Sequence, residues 1–345
     1  MKSSYGENIN IELTGESHAD KVGVIITGLP IGTTFDAEEL ECFMKRRSGD
    51  RNDELVKAAV TERNEKDIPA FEEGIEPRAG STAEVTGDRV VISLRNFDVR
   101  SSDYPNTGVL RPGHADLGVF LKEGRAGLKP GGGRFSGRMT APMCLAGGIL
   151  LQLLKKRGIT IKAEIDEIGG KTAVKEMIEA VESAKKEGDS LGGTVKCTVS
   201  GFPEGVGGEL FEGLEGKIAC ALLAIPSVKG IEFGSGFTGA GMKGSENNDE
   251  IFFTDGKLST GTNNSGGILG GISTGSDIIF RVAFKPVPSI SVPLGSVDVD
   301  TMTEVKCVTK GRHDVTVVPR VLPVVEAMTA AALYDVLADK DTVEK

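Results

Sequence analysis

Ala141–Leu154, APMCLAGGILLQLL, is the longest largely apolar run in the chain, and Lys155-Lys156-Arg157 close it. A bilayer crossing takes about 20 such residues, so this shorter run, with Gln152 inside it, reads as a buried helix over about 138–157 that Gly158 stops. A strand is expected next, at 159–168. Outward from there, helical periodicity marks about 172–187, 211–224 and 320–338, and strand alternation marks 193–201, 228–233, 277–284 and 303–309. On the N-terminal side an apolar strand, Val22 to Leu29, turns at Pro30–Gly32 into a helix reaching Arg47, opened by the capping pair Asp36 and Glu39. Val85 to Leu94 alternates around Thr86-Gly87-Asp88 as a hairpin does. Several strands have one polar face, which favours antiparallel sheets over a fully buried parallel one. No Pro/Ser-rich linker or low-complexity tract divides the 345 residues, and the expectation is one domain over 1–345.

A chain of this length buries roughly three quarters of its unfolded surface and needs no disulfide or metal staple. Its five cysteines, Cys42, Cys144, Cys197, Cys220 and Cys307, are odd in number and widely spaced, so they read as reduced and mostly buried. The start, MKSSYGENINIELTG, lacks the apolar core of a signal peptide, which points to the cytoplasm and away from any membrane. Forty Lys and Arg against fifty Asp and Glu give a net charge of −10, and there is no Trp. Nucleic acid is therefore not an expected partner, because such binding rests on clustered cations and, for single strands, on stacking aromatics.

The local pattern differs from this average. Lys45 to Arg51 holds four basic residues and one acidic, and Arg100 to Arg138 holds seven basic and three acidic. Within the second cluster, Lys129-Pro130-Gly131-Gly132-Gly133-Arg134-Phe135-Ser136-Gly137-Arg138 sets arginines among glycines. Glycine lets backbone N–H groups approach an anion, and Arg offers a planar charged fork to carboxylate or phosphate. The implied ligand is small and polyanionic. All three histidines, His18, His114 and His313, fall in polar, Gly-flanked segments, where a group titrating near neutrality suits proton transfer. No pair has the spacing of a zinc site, no nucleotide-binding P-loop appears, and Gly266–Gly271 does not follow a strand as a dinucleotide fingerprint does.

Seven blocks together carry a resemblance: Gly15-Glu16-Ser17-His18, Arg46-Arg47-Ser48-Gly49, Arg100-Ser101-Ser102-Asp103-Tyr104, Arg111 to Asp116, Gly131 to Gly137, Asn263 to Gly275, and Gly311 to Ala327. In content and order, from about residue 6 to 338, the chain resembles the chorismate synthase family. Residues 53–80 match it poorly, and 340–345 read as a frayed tail. The resemblance implies an α+β fold, a β-α-β sandwich with helices layered between two antiparallel sheets, assembled as a homotetramer. It also implies an activity: 5-enolpyruvylshikimate 3-phosphate loses phosphate and a ring hydrogen to give chorismate, using reduced FMN without net redox change.

By the same resemblance, Arg46, Arg111 and Arg134 hold the substrate's anionic groups with Ser17 nearby, and Arg51 stands beside Asn52, where the family has a further Arg. His18 protonates the departing phosphate, His114 places a proton on the reduced flavin, and Asp314 receives the proton that the flavin takes from the ring. FMN is assigned Arg134, Phe135, Ser136, Pro226, Ser227, Gly270, Lys285, Pro286, Val287, Pro288, Ser289 and Arg312. An external flavin reductase is the simpler source of reduced FMN, with NADPH as the alternative reductant. Two rival readings are a flavin-free enzyme acting on a phosphorylated acid and a silent paralogue that binds flavin or substrate without turnover.

Overall fold

The computed structural model describes residues 3–49, 53–61, 67–97, 108–254, 256–309 and 313–343. The apolar run becomes the helix Thr140–Lys156, with fourteen of its 17 residues buried. Its principal partner is the C-terminal helix Val318–Val343. Their close approach depends on Gly147: a Cβ there would lie 2.2 Å from Cβ of Ala327, so the two backbones meet where both side chains are minimal. On the other side, Gly148 gives room to Leu40 and Phe43 of the helix Ala37–Ser48. Both long helices are apolar enough by length and composition to cross a membrane, yet 83% of each apolar window is buried inside the fold. Protein covers them, as it covers core helices.

Two antiparallel sheets supply that cover. One has the order Ser4–Tyr5, Asn10–Gly15, Lys21–Thr27, Arg89–Arg95, Ala70–Glu73. Val22, Val24, Ile26, Val90, Ile92 and Leu94 are fully buried, alternate positions that share one face, and this sheet packs on the helix Thr140–Lys156. The other has the order Val228–Phe233, Ile278–Phe284, Gly193–Ser200, Thr160–Ile168. There Ile278, Phe280, Val282 and Phe284 alternate inward, and the sheet packs on Val318–Val343. The result is sheet, helices, sheet, an α+β sandwich whose main apolar core runs from Ile9 to Leu337, with a small second cluster of Leu110, Val119 and Leu128.

The predicted strands and helices lie within a few residues of their places, and Asp36 caps its helix by accepting the Glu39 N–H at 2.9 Å. The hairpin over Val85–Leu94 is a correction. Thr82–Val85 pairs with Thr34–Asp36 and Ile75–Pro77 in a separate three-stranded sheet, whereas Arg89–Arg95 pairs with Lys21–Thr27 and Ala70–Glu73. The Thr86 N–H donates to the Gly74 carbonyl, so the chain crosses between sheets at that turn instead of folding back.

All five cysteines are free thiols; Cys144, Cys197 and Cys307 are buried, and Cys42 and Cys220 are exposed. Burial pushes the Cys144 thiol up to about 12 and Cys197 higher still. Because the thiolate is the reactive form, an alkylating reagent applied to the native protein should label no thiol beyond Cys42 and Cys220, and all five after denaturation. Native labelling at Cys144 or Cys197 on peptide mapping would contradict this core.

Candidate active site

Three consecutive glycines build the centre of the site. Gly131, Gly132 and Gly133 have φ of 63°, 86° and 54°, a left-handed run that side-chain-bearing residues adopt only with strain. Missing Cβ atoms make the space that two imidazoles fill. A Cβ on Gly131 would lie 2.2 Å from Cε1 of His18, and one on Gly132 would lie 2.9 Å from Cε1 and 3.0 Å from Nε2 of His114. Histidines far apart in sequence thus rest on adjacent glycines.

His18 comes from the loop joining strands Asn10–Gly15 and Lys21–Thr27. That loop is tied to the glycine run by the Ser17 N–H donating to the Gly133 carbonyl at 3.3 Å. The Ser17 hydroxyl lies 3.0 Å from Nδ1 of His18 and donates to the Pro130 carbonyl at 3.4 Å.

His114 comes from the loop that opens the helix Asp116–Glu123. Its Nδ1 is 2.6 Å from Oδ1 of Asp116. A terminal nitrogen of Arg111 and the Asp116 N–H also approach this Nδ1, at 3.0 and 3.2 Å, so Nδ1 is enclosed by polar partners while Nε2 lies against Gly132. Arg111 grips the same carboxylate through Nε at 2.7 Å and a terminal nitrogen at 2.9 Å. Burial would raise the Asp116 carboxyl, but the hydrogen bonds from His114 and Arg111 and their charges outweigh it and hold the group well below the usual carboxylate range.

These residues face a cavity of about 1060 Å³, slightly above the ~300–1,000 Å³ of ordinary ligand sites. Arg47, Arg111, Arg134, Arg138, Arg320, Lys229 and Lys285 line it, and among the described residues Asp314 is the only carboxylate on the wall. Met139, Met143, Ile225, Val228, Val287 and Val321 give it an apolar side. Burial, and then the nearby Lys229 charge, lower the Lys285 ammonium below its ordinary value; two close cations in a partly desolvated wall suit an anion. Asp314 is held by the Thr61 N–H and hydroxyl, both at 2.9 Å, and lies 3.4 Å from Nε of Arg320. Ser227, at φ 75°, holds a left-handed conformation unusual for a residue with a Cβ, and its carbonyl accepts the Lys285 N–H. Backbone strain of this kind tends to collect at functional sites.

Of the residues singled out from sequence, Arg111, His114, Arg134, Phe135, Ser136, Pro226, Ser227, Lys285, Val287, Pro288, Ser289 and Asp314 line this one cavity, and Ser17 and His18 adjoin it across Gly131. Pro286 sits within that segment but off the wall. Gly270 lies between the short strands Ile268–Leu269 and Ile272–Ser273, also off the wall. Arg46 points elsewhere, into a two-pronged pairing with the buried Glu326 at 2.7 and 2.8 Å. Arg47, its neighbour, is the one on the wall. Arg51, Arg312 and the Arg100–Tyr104 block lie outside the described residues. Sequence reasoning missed Arg47, Lys229 and Arg320 as wall residues, and His313 joins them there.

Comparison with known proteins agrees with this arrangement. The family model for chorismate synthase matches residues 9–338. Proteins named chorismate synthase from Lancefieldella parvula, Dehalococcoides mccartyi and Pyrococcus abyssi are 39%, 40% and 41% identical, covering 98%, 97% and 96% of this chain and 96% of each relative. A crystal structure of chorismate synthase superimposes with a TM-score of 0.73 at 24% identity, covering 97% of this chain and 93% of that one, which supports the fold. With the family model matching residues 9–338 and relatives matching nearly the full length, the chain belongs to the chorismate synthase family.

Proposed function

We propose that the cavity converts 5-enolpyruvylshikimate 3-phosphate into chorismate by anti 1,4-elimination of phosphate, with reduced FMN bound beside the substrate. The observation that carries this reading is the seating of His18 and His114 on adjacent glycines beside a wall of five arginines and two lysines. A substrate with two carboxylates and a phosphate needs such a wall, since charge-assisted contacts from Arg are the strong ones. Arg111 and Arg134 hold substrate anions, Ser17 supports them, and His18 delivers a proton to the departing phosphate. His114 moves a proton through Nε2, and Asp314 is the carboxylate available to accept one.

The wall fits FMN. Phe135, Ile225, Val228 and Val287 offer apolar surface to a flat ring, and Ser227, Lys229, Lys285 and Ser289 offer donors to a phosphate. When bound and reduced, the flavin supplies electron density that helps phosphate leave and takes the ring hydrogen. The protein's share is to bind, orient, exclude water and manage protons.

The same reading extends to a cytoplasmic homotetramer supplied with reduced FMN by an external reductase, or by NADPH. Exposed Phe253 and Leu258, paired across one hairpin, and exposed Leu210 and Phe211 support subunit contacts, because exposed apolar patches mark interaction surfaces.

Anaerobic assay separates the rivals. Phosphate release and chorismate formation should both require reduced FMN. Equal phosphate release without flavin would identify a flavin-free enzyme on a phosphorylated acid, and flavin binding with no product would identify a silent paralogue.

A further inference from the structure

Asp67 lies in the acidic stretch from Glu62 to Glu76, yet its side chain is only 2% exposed. One carboxylate oxygen accepts from Arg47 through a terminal nitrogen at 2.6 Å and Nε at 3.1 Å, and the other accepts from Arg138 at 2.6 Å. Both arginines are on the cavity wall.

The chain of contacts continues. Nε of Arg138 donates to Oδ1 of Asn96 at 2.8 Å, and this fixes the amide orientation: the oxygen faces the guanidinium and the nitrogen faces the other way. On that side, Nδ2 of Asn96 donates to the Ala19 carbonyl at 2.7 Å and approaches the Ser17 and Glu16 carbonyls at 3.5 Å. The Asn96 backbone N–H donates to the Asp20 carbonyl at 3.0 Å. One residue thus holds the carbonyls of the loop that carries His18, while the glycine run holds the loop's opposite side.

We infer that Asp67, Arg138 and Asn96 form a positioning relay that fixes the Ser17–His18 loop against Gly131 and thereby sets where His18 acts. The inference rests on the chorismate-forming reading of the site. Asp67 bridges two guanidinium groups and offsets their repulsion, Arg138 turns the Asn96 amide, and Asn96 anchors the loop. A buried ion network is seldom more stabilising than apolar packing of the same volume; here its geometry has a use, because a misplacement of about 1 Å can cost about 10²-fold in rate.

The decisive variant is Asn96→Asp. It is isosteric and keeps an oxygen for Arg138, but it presents carboxylate oxygen to the loop carbonyls where an N–H donor stood. In the full-length enzyme with reduced FMN, kcat should fall by roughly 10- to 100-fold with KM for the substrate within about threefold, and Asn96→Ala should behave alike. Asp67→Asn, which weakens the grip on both arginines, should lower kcat and also raise KM. A general packing role would lower the melting temperature while leaving this kcat-against-KM split unmoved. Wild-type protein that forms no chorismate in the same assay would defeat the functional reading. Active wild type together with an Asn96→Asp enzyme within about twofold of its kcat would overturn the relay. So would an Asn96→Asp protein that fails to fold, because Asn96 would then be holding the fold rather than the loop.

Discussion

Replacing His114 by alanine lowers kcat for chorismate formation by about 10²-fold or more, and His18→Ala does the same, while both variants stay folded. The expectation follows from how the rings are held. Neither packs in the main core; each rests on a glycine and is fixed by polar partners at Nδ1. For His114 that partner is Asp116, and the pairing leaves Nε2 turned to Gly132. Asp116→Asn keeps the shape but removes the charge that orients the His114 ring and anchors Arg111, so kcat should drop by at least about tenfold, as when the orienting carboxylate of a serine protease is neutralised. The carboxyl of Asp116 is held well below the usual range. Its contribution to stability is therefore fully present above the unfolded value of about 3.9 and is lost only as pH falls through the lower folded value, so the His114 pairing persists throughout neutral and mildly acidic assays. Near-normal rates for His114→Ala, with the fold checked by circular dichroism, would reduce the residue to packing.

Gly131→Ala should be nearly as damaging, although it adds a single carbon. At φ 63° an alanine meets left-handed strain of about 1–2 kcal/mol. The greater effect is steric, since the new Cβ would sit 2.2 Å from the His18 ring and 3.2 Å from the Ser17 hydroxyl. The ring must move by about 1 Å, and displacement of that size can lower the rate about 10²-fold. By contrast, Gly216→Ala, in the helix Leu214–Leu223 and off the cavity wall, meets no atom within 4 Å and should be tolerated. Stopped-flow or steady-state kcat for the two variants gives the comparison. Equal activity would mean that His18 does not act from its seat on Gly131.

The layered fold could be read far along the chain because its signals are local. Ala141–Leu154 announces a buried helix by composition, and Ile278–Phe284 announces a half-buried strand by strict alternation. The crossing at Thr86-Gly87-Asp88 could not be read, because period-two alternation on both sides of a tight turn describes a hairpin equally well. Only the Gly74 carbonyl receiving the Thr86 N–H decides it. Arg46 and Arg47 mark the same limit: adjacent helical residues point about 100° apart, so only one faces the cavity. Which one depends on the rotation of the helix, set by Leu40 and Met44 in the core. Asp67 gave no sequence signal, since its meaning lies in Arg47 and Arg138, 20 and 71 positions away. The glycine run was visible as an anion-suited loop. That it also seats two histidines follows from tertiary structure alone.

The most direct measurement is the stoichiometry of turnover in a sealed anaerobic cuvette containing the protein, 5-enolpyruvylshikimate 3-phosphate and a small quantity of reduced FMN. Chorismate and phosphate should appear in equal amounts, far in excess of the flavin, and the flavin should remain reduced at the end. Absence of chorismate, or flavin oxidised in step with product, would contradict the account.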